Sequence, residues 1–205
     1  MTREDAVAAL RALVGRDLHQ LADDYGITVR KQGRLNKGWA GSVVERHLGV
    51  PANVRRTPDF DAFELKVIPL THQRDGRLVV KESMAITMFT ADEVRSTSFE
   101  DSHLHHKMAR MIVVARLDDA GHAHSDVCGV ATFDLDAELY RLVKADYRLI
   151  QDTVRVYGFN ALSGRMGDLV QPRMKGAGHG STSRAFYARA RLLSWILGLD
   201  VRGRR

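Results

Sequence analysis

The sequence predicts a mixed α/β protein, and three observations point to it. Apolar residues recur at helical spacing near both ends and after Asp136, β-branched runs fill the middle, and Gly, Pro or Asp-Gly punctuation separates the two kinds of segment. The predicted order is helix, helix, several strands, helix, strand, helix. Thr2 with Asp5 has the form of a capping box, and Val7, Leu10, Leu13, Val14, Leu18 and Leu21 continue one helical stripe as far as Gly26. GWAGSVVERHLG predicts a second helix with Trp39, Val43, Val44 and Leu48 on one face, ended by Gly49 and Pro51. In DAFELKVIPL, Phe63, Leu65 and Val67 alternate with Glu64, Lys66 and Ile68, which describes a strand with two unlike faces, closed by Pro69. VVKESMAITMF, RMIVVARL and VCGVATFDL read as further strands, with a turn at Asp75-Gly76. A long helix follows from about Asp136 through Leu139, Val143, Tyr147, Ile150 and Val154 to Gly158. LVQPRMK reads as a strand that Pro172 confines to an edge, and after the KGAGHGSTS loop Ser183 is expected to cap a last helix carrying Phe186, Ala190, Leu193 and Leu197.

The 205 residues, 44% of them apolar, suffice for one buried core or for two small lobes sharing a cleft. A single domain over residues 1–205 is therefore expected. No apolar run approaches the length of a membrane span, and the start MTREDAVAAL carries acids where a signal peptide would be basic and then greasy. A soluble, cytoplasmic protein without a membrane partner is expected, and Cys128 as the sole cysteine fits a reducing compartment. Charge is unevenly placed. From Arg155 onward ten Lys or Arg face two acids, for +8, so the total of +6 leaves −2 for residues 1–154. Such a basic segment attracts polyanions, of which nucleic acid is the commonest in a cytoplasm, although a solvated basic face would read the same.

Asp59, Glu64 and Lys66 form the pattern D-x4-E-x-K, and strand geometry puts the Glu and Lys on one face. Hard carboxylate oxygens suit magnesium, with manganese able to substitute. The lysine can stabilise the growing charge of a phosphorane or help orient and deprotonate an attacking water. Phosphodiester hydrolysis uses this combination, yet the bare pattern also describes an ordinary charged strand. The histidines of HLHHK and the pair His122 and His124 lack the companions of a zinc site, and are expected to contact phosphate or pack nearby. KGAGHG lacks the Lys-Ser/Thr of a nucleotide-binding loop.

KGWAGSVVERHLG, followed by PDF, FELKVIP and SHLHHK, resembles in order and spacing the MutH-type mismatch-repair endonucleases and the related restriction enzymes that cut GATC. The resemblance implies a PD-(D/E)XK restriction-endonuclease-like core: a central mixed sheet flanked by helices, with two lobes around a DNA cleft. It implies that Glu45 joins Asp59 and Glu64 in holding magnesium, with the backbone carbonyl of Leu65 as a further ligand. Lys66 and Lys107 would be the active-site lysines, and Lys37 would contact DNA. GSTSRAFYARARLL is similar to the family's C-terminal motif, which implies that Tyr187 lies against the target adenine and that Arg184 faces DNA. The loop residues His179, Ser181 and Thr182, leading into a helix N-terminus, fit phosphate contacts on physical grounds alone.

The expectation is a magnesium-dependent, sequence-specific endonuclease acting on double-stranded DNA, with a catalytic lobe over 1–130 and a basic recognition lobe over 131–205. A restriction role, as a homodimer on DNA, is expected from VVKES, which resembles the restriction branch. The alternatives are a strand-nicking mismatch-repair enzyme with a repair partner, and a catalytically silent DNA-binding module.

Overall fold

The computed structural model describes residues 1–49, 63–118, 124–175 and 183–199. Asp59, His122, His179, Ser181 and Thr182 lie outside the described residues. The chain begins with α1 (Arg3–Arg11), whose N-cap Thr2 and N3 residue Asp5 form the expected capping box. The predicted single stripe breaks there: Gly15 has φ +82, and a separate α2 (Leu18–Asp24) starts from the N-cap Asp17. Val14, assigned to the stripe, is 49% exposed between the two helices. A hairpin of β1 (Arg30–Lys31) and β2 (Arg34–Leu35) leads into α3 (Trp39–His47).

The centre is a four-stranded sheet in the order β4-β3-β6-β7, made from β3 (Glu64–His72), β4 (Leu78–Val80), β6 (Arg110–Leu117) and β7 (Val127–Asp134). β3 and β6 run parallel, with Glu64 opposite Met111, while the two outer strands pair antiparallel. β6 explains the layering. Its Met111, Val113 and Ala115 belong to one core and Ile112 and Val114 to another, as alternation requires of a strand covered on both faces. α1, α2 and α3 cover the second face; the first is covered by α4 (Ala91–Ser96), α5 (His103–Ala109), α6 (Ala137–Tyr157) and a second sheet.

Three further expectations are corrected. Pro69 does not close β3, which continues to His72. The Pro69 carbonyl accepts from the Lys81 amide, so the missing N–H faces the end of short β4 and leaves the β3–β6 ladder intact. VVKESMAITMF is two strands: β4 ends at Val80, and β5 (Met84–Phe89) joins the other sheet. The predicted C-terminal helix loses its first half, because residues Arg184–Ala188 form β9, the middle strand of the antiparallel order β5-β9-β8. Pairing on both sides satisfies the β9 backbone, and only Ala190–Ile196 remain helical as α7. Phe186 is thus a strand residue stacked on Phe89, and Trp195, expected in the core, is 53% exposed on the short α7. β8 (Val170–Met174) holds Pro172 at the edge, as predicted.

Two carboxylates pin these layers. Asp146, buried in α6, accepts from the amides of Asp168, Leu169 and Val170 at 2.7–2.8 Å. This fixes the entry to β8, where Gly167 has φ +75 and a Cβ would lie 1.9 Å from the Val170 carbonyl. Asp17 accepts from the amides of His19 and Ser125 and from His124 Nδ1, all at 2.8–2.9 Å, tying α2 to the start of β7. Partial burial opposes ionisation of Asp17, but the bonds from Ser125, His124 and His19 outweigh it and hold its pKa below the carboxylate norm. Its hydrogen bond to Asp17, reinforced by that charge, raises the His124 pKa.

Asp146→Ala strands three amides and is expected to lower unfolding stability by about 3 kcal/mol, read from a denaturant midpoint at unchanged m-value. The Asp17 contribution is present above its unfolded pKa near 3.8 and is lost as pH falls through the depressed folded value. The His124 contribution is present below 6.5 and is lost as pH rises through the raised folded value. His124→Gln should therefore lower the urea midpoint at about pH 5.5, with the difference from wild type closing by about pH 9.

Candidate active site

β3 carries Glu64 and Lys66 on the face that continues with Ile68 and Leu70 into the larger core. The predicted two-faced strand is present at its head, but the polar face turns apolar two residues further on. Glu64 is fully buried. The ammonium of Lys66, two residues along the same face, donates to Glu64 Oε1 at 2.5 Å. Lys107 reaches the same carboxylate from α5, its Nζ lying 2.9 Å from Oε1 and 3.1 Å from Oε2. The two lysines differ in access: the Lys66 side chain keeps 21% of its surface in solvent, and that of Lys107 keeps 7%.

The placement of α5 explains this convergence. Ser102 caps the helix by accepting from the His105 amide, and its own hydroxyl donates to the Phe99 carbonyl. The helix ends at Ala109, and β6 begins at once with Arg110, so Lys107 comes down beside the head of β6. Met111 of β6 is the register partner of Glu64, which brings the two heads together. Ser102 and Phe99 were not singled out as site residues; a Ser directly before HLHHK is nevertheless a readable cap signal. His105 packs against Phe99 and Tyr140 with ring centroids 5.1 and 5.7 Å apart, and its Nδ1 lies 2.9 Å from the Glu100 carbonyl. Packing is thus its role, while His124 serves Asp17.

Glu45 is half-buried on α3, which packs over Phe63 and Leu65, the face of β3 opposite Glu64. Lys37 is exposed just before α3. Arg184 and Tyr187, three apart on β9, project from opposite faces of a strand rather than from a helix. The Arg184 guanidinium lies 5.6 Å from the Phe159 ring centroid, and half-buried Tyr187 has the guanidinium of Arg173 at 5.6 Å over its ring.

Among the described residues no group of three His, Cys, Asp or Glu could hold a metal ion. The donors the resemblance names are all carboxylate or carbonyl oxygens, a set that fits a hard divalent cation. The residues the resemblance names, Glu45, Asp59 and Glu64 with Lys66 and Lys107, would together carry one net negative charge, which a divalent ion would reverse to suit a phosphodiester. A carboxylate as buried as Glu64 depends on its countercharges. Lys107→Met is expected to destabilise the fold by about 3 kcal/mol, and adding Glu64→Gln should recover part of the loss. Strict additivity of the two in a double-mutant cycle would refute the coupling.

The family model described as DNA mismatch repair enzyme MutH matches residues 48–146. The DNA mismatch repair protein MutH of Vibrio parahaemolyticus is 26% identical over 178 residues, covering 85% of this chain and 77% of the relative. That of Klebsiella pneumoniae is 27% identical over 192 residues, covering 92% and 81%, and that of a Shewanella species is 28% identical over 170 residues, covering 80% and 74%. Among solved structures, the restriction endonuclease MvaI in complex with its cognate DNA aligns over 95% of this chain and 97% of its own, at 11% identity and a TM-score of 0.40. With its family blocks in order and a buried glutamate held by two lysines at the head of β3, the chain is similar to the MutH-type DNA endonucleases.

Proposed function

We propose that this protein is a magnesium-dependent endonuclease that nicks one strand of duplex DNA, in the manner of mismatch repair. The observation that carries the reading is the buried Glu64 carboxylate held by both Lys66 and Lys107. In this reading Glu64, Asp59, Glu45 and the Leu65 carbonyl hold the metal. A bound Mg2+, or Mn2+ in its place, would supply Lewis-acid stabilisation at the scissile phosphate and lower the pKa of a water. The unequal exposure of the lysines divides their work. Lys66, with a fifth of its surface open, is the ammonium that meets substrate, stabilising the charge that develops on phosphorus-bound oxygen or positioning the water. Lys107, enclosed on α5, keeps the Glu64 carboxylate oriented.

The repair reading takes precedence over restriction because the relatives at 26–28% identity are named as mismatch-repair proteins. One chain also supplies one such site, whereas cutting both strands would require a homodimer on the DNA. GATC is the target the family implies, with Tyr187 monitoring the adenine, and Lys37, Arg184, His179, Ser181 and Thr182 contacting DNA. The catalytic lobe spans 1–130 and the basic recognition lobe 131–205, with β5 lent to the sheet of the latter. Chromosomal DNA as substrate puts the enzyme in the cytoplasm, beside a repair partner that stimulates it.

With magnesium, supercoiled plasmid carrying unmethylated GATC should become nicked circle, and adenine-methylated plasmid should react more slowly. Linear product from the first turnover would favour restriction, and intact plasmid would remove the nuclease reading. Lys66→Ala should lower nicking by about 100-fold or more with duplex binding retained.

A further inference from the structure

The segment joining α2 to α3 folds into a hairpin whose chemistry the proposed catalytic site does not use. Residues Arg30 to Gly38 are all exposed, and Arg30, Lys31, Arg34 and Lys37 lie in a stretch with no acid between Asp24 and Glu45. Arg30, Lys31 and Arg34 have no carboxylate partner among the described residues, whereas Arg77, Lys81, Arg95 and Lys144 on other surfaces are each paired with one. A run of surface cations is most often a solvated face. Two features set this one apart.

The first is a like-charge clash built into the register. Lys31 and Arg34 are direct cross-strand partners, an arrangement that works against a two-stranded ribbon. The second is the turn between them. Gln32 has φ +50 and Gly33 φ +75, the signs of a type I′ turn, and Gln32 is the one non-glycine with positive φ among the described residues. A short ribbon thus holds an unfavourable residue in its turn and two cations face to face. A bound polyanion relieves the second cost.

The hairpin is also rigidly placed. The Asn36 side chain donates to the Thr28 carbonyl, its amide donates to Val29, and its carbonyl accepts from the amide of Trp39 at the start of α3. Trp39 is buried, stacked on His19 with ring centroids 4.6 Å apart and capped by the Arg116 guanidinium at 5.3 Å. Arg116 is the register partner of Pro69, five residues along β3 from Glu64. At about 3.3 Å per residue that is roughly 17 Å along β3.

We propose that the β1–β2 hairpin is a phosphate-gripping wing, in which Arg30, Lys31 and Arg34 hold the DNA backbone outside the catalytic site. The link to cleavage rests on Glu64 marking the catalytic site; the grip on DNA does not. The wing contributes affinity and register without reading bases.

The test is binding of one duplex oligonucleotide, without metal, over a range of salt concentrations. Arg30→Gln, Lys31→Gln and Arg34→Gln combined should flatten the slope of log K against log salt by about 2 to 3, at about 0.9 per phosphate contact. Relieving the like-charge pair should leave the unfolding midpoint unchanged or raised, so weaker binding would not reflect a damaged fold. In nicking assays KM should rise while kcat at saturating DNA holds. A control removing three exposed cations elsewhere, Arg11→Gln, Arg16→Gln and Arg74→Gln, should keep the wild-type slope. An unchanged slope in the hairpin variant, or an equal loss in the control, overturns the proposal. If the wild type nicks no DNA but the hairpin variant alone flattens the slope, the nuclease reading fails and the wing stands.

Discussion

The parallel pairing of β3 with β6 is the constraint from which the rest of this structure follows. Two parallel strands start at the same edge of a sheet, and the chain leaving the far end of one must travel back before entering the other. Here that return comprises β4, β5, α4 and α5. Its last helix ends one residue before β6 begins, so whatever α5 carries in its final turn is delivered to the edge where β3 starts. Lys107 is in that turn, and Glu64 is the first residue of β3. The buried contact between them is a product of topology as much as of chemistry.

The same pair of strands sets the layering. Both are covered on two faces, which demands apolar side chains on nearly every position, and β6 meets that demand from Met111 to Ala115. β3 departs from it at Glu64 and Lys66, and the departure is confined to the strand head, where α5 supplies a countercharge. A polar group inside a two-sided core is tolerable only with partners, and Lys66 and Lys107 provide them. The chain accepts this cost where the family resemblance puts chemistry, and the remaining strand length, from Val67 to Leu70, is ordinary core or near-core.

Much of this was legible beforehand because local signals carry it. The Thr2 capping box, the Asp136 start and Gly158 end of α6, the Asp75-Gly76 turn and the edge position of Pro172 all depend on residues within a few positions of one another. Errors fell where distant pairing overrode local pattern. RAFYA has helical spacing when read onward into ARLL, yet β5 and β8 on either side of it claim its backbone as a strand. VVKESMAITMF has strand composition throughout, yet its halves serve different sheets.

By itself the sequence determined the chemical types: an acid and a lysine on one strand face, a second lysine closing SHLHHK, and a basic C-terminal quarter. The order and spacing of the family blocks gave those types their resemblance to an endonuclease. Only the tertiary structure decided that Lys66 and Lys107 share one carboxylate, that one is open and the other enclosed, and that Arg184 and Tyr187 project from opposite faces of a strand. Spacing along a chain fixes which face a side chain takes within its own element. Which elements meet, and which side chain is left in solvent, is settled by burial of apolar surface between segments that lie far apart in sequence.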